Sequence, residues 1–234
     1  MFPVRLYKKL RRGPQVITLK DAGMISALTG LQSGDRVADA GSGSGWLAIY
    51  LGSIVAPNGH VYSYEWREDF ALLSEKNVEK AGLQQVVEIK RKNVFEGIGE
   101  KDLDLVTLDL AESDKALAHA FGAVKTNGFV VGYLPNVEQV KAFVMEGESL
   151  GLHHIETIEC IVRELLVRPY GCRPASSGIT HTAYLSFLKK LEPEALAALR
   201  AERAKTAKSV KPKEPAESDA SADGAAGGAA VESP

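Results

Sequence analysis

Cysteine is scarce in this chain: only Cys160 and Cys172 occur among 234 residues. Their spacing matches no metal-ligand pattern, so no metal is expected, and so few thiols point to a reduced, intracellular compartment. No charged-then-apolar leader opens the chain and no apolar run approaches membrane-spanning length, which points to a cytoplasmic protein without a membrane partner. A surplus of one charge is lacking too. Lys and Arg number 28 against 30 Asp and Glu, a formal net charge of −2. No global field attracts nucleic acid, so any polyanion contact must come from local basic patches. Internal repeats are absent. What is present is a chain 45% hydrophobic and 25% charged, able to bury one full core with a little to spare.

Residues from about 22 to 190 alternate between strand-like and helix-like runs, the pattern of a doubly wound α/β sheet. Helices are predicted at Ala22–Thr29, Gly45–Val55, Arg67–Ala81, Asp114–Val124 and Val137–Leu150, with Gly82, Asn127-Gly128 and Gly151 as C-terminal stops. Strands are predicted at Asp35–Asp39, Gly59–Glu65, Val86–Lys90, Asp104–Asp109 and Gly128–Tyr133. A last pair, His154–Leu166 and Thr182–Leu188, is separated by the loop Arg168–Gly178 and fits an antiparallel hairpin added at the sheet edge. Residues 1–21 form a basic lead-in in which Arg5, Lys8, Lys9, Arg11 and Arg12 interleave with Phe2 and Tyr7. Residues 191–209 read as a single solvated helix. Residues 210–234 are too poor in apolar side chains to offset their ordering entropy and read as a disordered tail.

The run Asp39-Ala-Gly41-Ser42-Gly43-Ser44-Gly45 lies between a predicted strand and a predicted helix. Alternate glycines let the backbone turn sharply and approach a ligand. A dinucleotide loop reads G-x-G-x-x-G and seats a pyrophosphate on the helix N-terminus. Here the spacing is G-x-G-x-G, and the Asp39 carboxylate stands where it would repel a diphosphate and welcome a cationic amine. S-adenosylmethionine has an ammonium, a sulfonium and a ribose, and no phosphate. Glu65 ends the next strand about twenty residues on, where an acidic side chain meets ribose hydroxyls. Asn93 follows the third strand and Asp109 ends the fourth. Ligands of open parallel sheets bind at the carboxyl ends of strands, so these residues point to one site. Trp66 and Phe70, beside Glu65, are candidates for the wall against the adenine.

Several motifs in order resemble the tRNA (adenine-N1)-methyltransferases. They are Arg11-Arg-Gly-Pro-Gln15 through Lys20-Asp21-Ala-Gly, Gly41–Gly45, Ser63-Tyr-Glu65 with Arg67, Asn93 with Glu96-Gly97-Ile98, Leu108-Asp109-Leu110, Tyr133-Leu-Pro135 through Gln139, and Arg173-Pro174 with His181-Thr182. The resemblance covers about residues 11 to 190. It implies a class I S-adenosylmethionine-dependent methyltransferase with a Rossmann-like, seven-stranded, mostly parallel sheet. It also implies methyl transfer to N1 of an adenosine in the T-arm of tRNA, and a homo-oligomer, a tetramer in most of the family. Gln15 takes a place in the cofactor wall, and Tyr133, Pro135, Arg173, His181 and Thr182 lie on the substrate side. Three departures stand out. The family's small β-rich N-terminal domain is expected to be lacking. The Pro-Trp pair usual after the catalytic aspartate is replaced by Leu110-Ala-Glu-Ser-Asp114, and Asn93 stands where the family has Asp.

Adenine N1 offers an in-plane lone pair at neutral pH and needs no deprotonation, and its methylation leaves a cationic ring. Alignment and electrostatic matching are therefore the main tasks. Asp109 is the catalytic candidate, hydrogen-bonded to the exocyclic amino group. The base must leave its stack to reach the site, and Tyr133 and Pro135 could contact it there. Arg163, Arg168 and Arg173 with the basic lead-in could neutralise phosphates. Two alternatives remain open at this point: methylation of a small molecule or protein, and a non-catalytic RNA-binding subunit of a methyltransferase complex.

Overall fold

The computed structural model describes residues 9–209 apart from 14, 177, 179 and 180. Arg5, Lys8, Phe2 and Tyr7 of the lead-in and the expected tail from residue 210 lie outside the described residues. In chain order the elements are α1 (Leu19–Thr29), β1 (Arg36–Ala40), α2 (Trp46–Val55), β2 (His60–Tyr64), α3 (Glu68–Ala81), β3 (Val87–Lys90) and β4 (Leu103–Leu108). They continue with α4 (Leu117–Ala123), β5 (Val124–Leu134), α5 (Val137–Ser149), β6 (Leu152–Glu159), β7 (Leu165–Arg168), β8 (Gly171–Pro174), β9 (Tyr184–Lys190) and α6 (Pro193–Ser209).

Seven strands form one sheet in the order β3-β2-β1-β4-β5-β9-β6. The pairings from β3 through β5 are parallel. β9 runs antiparallel between β5 and β6, with Val131 opposite Phe187 and Glu159 opposite Tyr184. Helices cover both faces, so the central strands are buried on both sides and their alternate residues feed two cores. Val37, Leu105, Val131 and Phe187 pack with Ile49 and Leu51 of α2. Their neighbours Ala38, Val106, Val130 and Leu188 pack with Leu117 of α4 and Phe143 of α5. Strand order reverses between β1 and β4, which opens a crevice at their carboxyl ends, the place where such sheets bind ligands.

Three local expectations are corrected. Asn127-Gly128 is no helix stop: it lies inside β5, where Asn127 has φ +66° and the register with β4 shifts. A Cβ on Gly128 would come within 2.9 Å of the Leu103 and Asp104 carbonyl oxygens, so glycine there serves close strand packing. The predicted helix Asp114–Val124 divides into a tight turn at Ser113–Ala116 and a short α4, because Val124 already belongs to the sheet. The strand predicted over His154–Leu166 ends at Glu159, and residues 165–168 pair instead with 171–174 as a separate two-stranded sheet. Pro169, which lacks a donor, and Gly171, at φ +146°, reverse the chain between them. The helix expected over residues 191–209 is α6, with proline at its first position and Glu194 in its first turn. No helix among the described residues is long and apolar enough to cross a membrane.

Candidate active site

The exits of β1, β2 and β4 meet through short backbone contacts. Gly41 adopts φ +95°, and a Cβ there would stand 2.3 Å from the Asp109 carbonyl oxygen. Only glycine lets the loop after β1 pass the loop after β4 this closely. Asp109 N–H in turn donates to the Ala40 carbonyl at 2.9 Å. Gly45, at φ +76°, would bring a Cβ to 3.0 Å from the Ser74 side chain, so its contribution is the close packing of α2 on α3.

A cavity of about 350 Å³ opens beside this crossing. Of the expected site residues, Gln15, Gly41, Gly43, Glu65, Trp66, Phe70, Asn93 and Asp109 line it. Ser42 and Ser44 line a smaller cleft that shares Gln15, Gly41, Gly43 and Asp109 with it. Glu65 is buried with three donors on its carboxylate: Gly43 N–H on Oε2 at 3.0 Å, and Arg67 N–H and Nε on Oε1 at 3.1 and 3.2 Å. A carboxylate offers about four acceptor positions, so one stays open without rearrangement. Arg67 also lies over the Phe70 ring at 3.9 Å, while Trp66 is 68% exposed. Asn93 caps the tight turn after β3, its side-chain oxygen accepting from Phe95 N–H at 3.1 Å. Gln15 holds φ +59°, a conformation rare for a non-glycine residue. The buried Ser44 hydroxyl has no hydrogen-bond partner among the described residues.

Two carboxylates lie close together here, and they differ. Asp39 lines neither cavity. It sits beneath the loop with Oδ2 accepting from Ser63 at 2.7 Å and Oδ1 from Thr107 at 2.8 Å, tying β1 to β2 and β4. Burial raises its pKa against the lowering by these two hydroxyls. These two contacts make Asp39 an internal brace. Asp109 faces both cavities and has no side-chain hydrogen bond among the described residues. Desolvation, and then the charge of Asp39, push it up to about 7. Replacing Thr107 with valine keeps the shape and removes one donor from Asp39. It should cost about 1–3 kcal/mol in denaturant unfolding, and an unchanged unfolding midpoint would rule out the brace.

The remaining expected residues lie outside the two cavities. Tyr133 packs half-buried against the core, and its phenol is pushed up to about 12 by desolvation, with Asp21 and Asp109 adding to the rise. His181 bridges Glu159 Oε1 at 2.5 Å and the Pro135 carbonyl at 2.9 Å. Thr182 accepts from Lys20 Nζ at 2.7 Å and donates to Asp21 at 3.0 Å. Lys20 further reaches Asp21 and the Cys160 carbonyl. Arg173 sits exposed on β8, apart from the cavities. Sequence reasoning gave no site role to Lys92, Val94, Phe95, Leu110 and Ala111, which line the larger cavity. Their signal was adjacency to Asn93 and Asp109. Lys20 and Asp21 stood within a quoted motif without an assigned role. No group of His, Cys, Asp and Glu among the described residues could hold a metal ion.

The site fits a cationic nucleoside better than a diphosphate: two carboxylates and aromatic side chains line it, while Gly41, Ser42 and Gly43 donate their N–H groups to the Tyr64 carbonyl and the Glu65 carboxylate. Comparison with known proteins agrees. A curated relative from Methanocaldococcus jannaschii, tRNA (adenine(57)-N(1)/adenine(58)-N(1))-methyltransferase TrmI, is 32% identical over 82% of this chain and 77% of its own. The tRNA (adenine(58)-N(1))-methyltransferase TrmI of Thermus thermophilus is 36% identical over 73% of this chain and 68% of its own. Among solved structures, one described as an S-adenosylmethionine-dependent O-methyltransferase from Thermotoga maritima superposes with a TM-score of 0.77 at 32% identity. It covers 81% of this chain and 72% of that one. The fold is the class I S-adenosylmethionine-dependent methyltransferase fold. With residues 6–182 matched, this chain belongs to the family described as the tRNA methyltransferase complex GCD14 subunit.

Proposed function

We propose that this protein transfers a methyl group from S-adenosylmethionine to N1 of an adenosine in the T-arm of tRNA. Residues 22–190 act as the catalytic domain and the basic lead-in adds RNA contact. The observation that carries the reading is the meeting of Gly41–Ser44, Glu65, Asn93 and Asp109 at one cavity, in a chain of this family. When bound, the cofactor supplies a methyl group already activated on a sulfonium. Glu65 accepts one ribose hydroxyl at its open position, and Arg67 yields Oε1 to the second. Trp66, and Phe70 once Arg67 has moved, flank the adenine, and Asn93 meets its polar edge. Ser44 offers its unpartnered hydroxyl to the amino-acid end. Asp109, in its ionised form, accepts from the target base's amino group and stabilises the charge that develops on the ring. Tyr133 and Pro135 border the base, and Arg173 with the lead-in meets phosphates. A homo-oligomer in the cytoplasm completes the proposal.

One observation favours a second reading. A carboxyl poised at about 7 is suited to removing a proton, as an oxygen acceptor requires, and the Thermotoga neighbour is described as an O-methyltransferase. A tRNA transcript in which the T-arm adenosines are replaced by guanosine separates the two. Loss of methyl acceptance is expected. Undiminished acceptance would overturn the N1 assignment in the T-arm.

A further inference from the structure

We propose that His181 acts as a protonated clasp: its imidazolium ties the end of β6 to the loop after β5 and so positions the rim formed by Tyr133 and Pro135. The proposal rests on the reading above only in taking that rim as the side facing RNA. The geometry favours the charged ring. Nδ1 lies 2.5 Å from the Glu159 carboxylate and Nε2 lies 2.9 Å from the Pro135 carbonyl. Both partners are pure acceptors. A neutral imidazole has one N–H, and only the imidazolium can donate to both.

The groups around the ring agree. Glu159 at the end of β6 and the Pro135 carbonyl after β5 favour the charged form, and Lys20 of α1 opposes it more weakly. The result is a pKa above the ordinary histidine value, owed first to the Pro135 carbonyl and then to Glu159. Tyr184 of β9 contributes a tilted ring contact, its centroid 5.0 Å away. The next residue, Thr182, is pinned by Lys20 and Asp21, with Asp21 fully buried. The strap that bears the ring is therefore held from below. On deprotonation the remaining N–H stays with the carboxylate, the stronger acceptor, and Nε2 then turns a lone pair towards the carbonyl. The contact with Pro135 is the one that breaks, and the β5–α5 loop is released while the strap stays.

Two linked measurements test this. The first follows the His181 ring proton by NMR against pH, assigned by its loss in His181→Gln. The second follows kcat/KM for tRNA over the same range at saturating cofactor. The resonance should titrate above the ordinary histidine value, and kcat/KM should fall by about three- to tenfold with the same midpoint, a modest effect because the ring is partly solvent-exposed. Glu159→Gln keeps an acceptor oxygen and removes the charge, so it should move both midpoints down together. In His181→Gln the descending limb should vanish, with kcat/KM lying below the parent's low-pH value at every pH. A His181 resonance titrating at or below the ordinary value overturns the clasp. So does a Glu159→Gln protein in which the resonance moves and the kinetic limb stays. A resonance titrating above the ordinary value in a protein that methylates no tRNA would instead leave the imidazolium bridge standing and overturn the functional reading and the rim's role.

Discussion

Replacing Asp109 with alanine should lower the methylation rate by about a hundred- to a thousandfold while leaving cofactor affinity within a few fold. Removing one positioned group that favours a charged transition state typically costs a few kcal/mol, which is that range in rate. The location of Asp109 makes the effect specific to the acceptor. Its carboxylate faces the cavities without a hydrogen-bond partner among the described residues, whereas Asp39 beneath it accepts from Ser63 and Thr107. The ionised form is the one that stabilises a cationic ring. From a free-protein value of about 7, the ionised fraction rises with pH, so activity should climb through that region and the climb should vanish in Asp109→Ala. A bound sulfonium, as a nearby cation, would move this ascending limb to lower pH. Single-turnover rates and calorimetric cofactor titrations on the same preparation check both halves. An Asp109→Ala protein that methylates at the parent rate would reduce Asp109 to a strand cap.

The second large effect is expected at Glu65. Glu65→Ala should weaken cofactor binding by about ten- to a hundredfold, the size of one or two charge-assisted hydrogen bonds. It also removes the acceptor that holds Gly43 N–H and Arg67, so the glycine loop loses a tether. Glu65→Gln separates the two contributions. It keeps an oxygen for Gly43 and loses the charge, and it should fall between parent and alanine. Calorimetry decides the matter, and affinity within twofold of the parent for the alanine variant would remove Glu65 from the cofactor site.

The core of the site was legible because it obeys local rules. A glycine loop after an apolar strand, and polar residues at successive strand ends, are features of neighbouring residues, and the parallel sheet brings such ends to one edge. The sheet itself was legible for the same reason, from Arg36 to Leu134. What escaped was long-range. Lys20 reaches Cys160 and Thr182 across 140 and 162 positions, and His181 reaches Pro135 across 46. No periodicity encodes such contacts. For Asp39 the acidic character was legible, while its partners Ser63 and Thr107, on two other strands, were not. Asn127-Gly128 has the chemistry of a helix stop, and that same tolerance of left-handed backbone serves a strand irregularity in β5. The β7–β8 hairpin was hidden inside a run rich in Arg, Pro and Gly that reads as a loop.

The most direct test of the central claim is the identity of the methylated nucleoside. The parent protein is incubated with labelled S-adenosylmethionine and an unmodified tRNA transcript, and the RNA is digested and its nucleosides separated. Label in 1-methyladenosine is the expected result. Label on a ribose oxygen or on another base, or a transcript that stays unlabelled while the protein binds the cofactor, would contradict it.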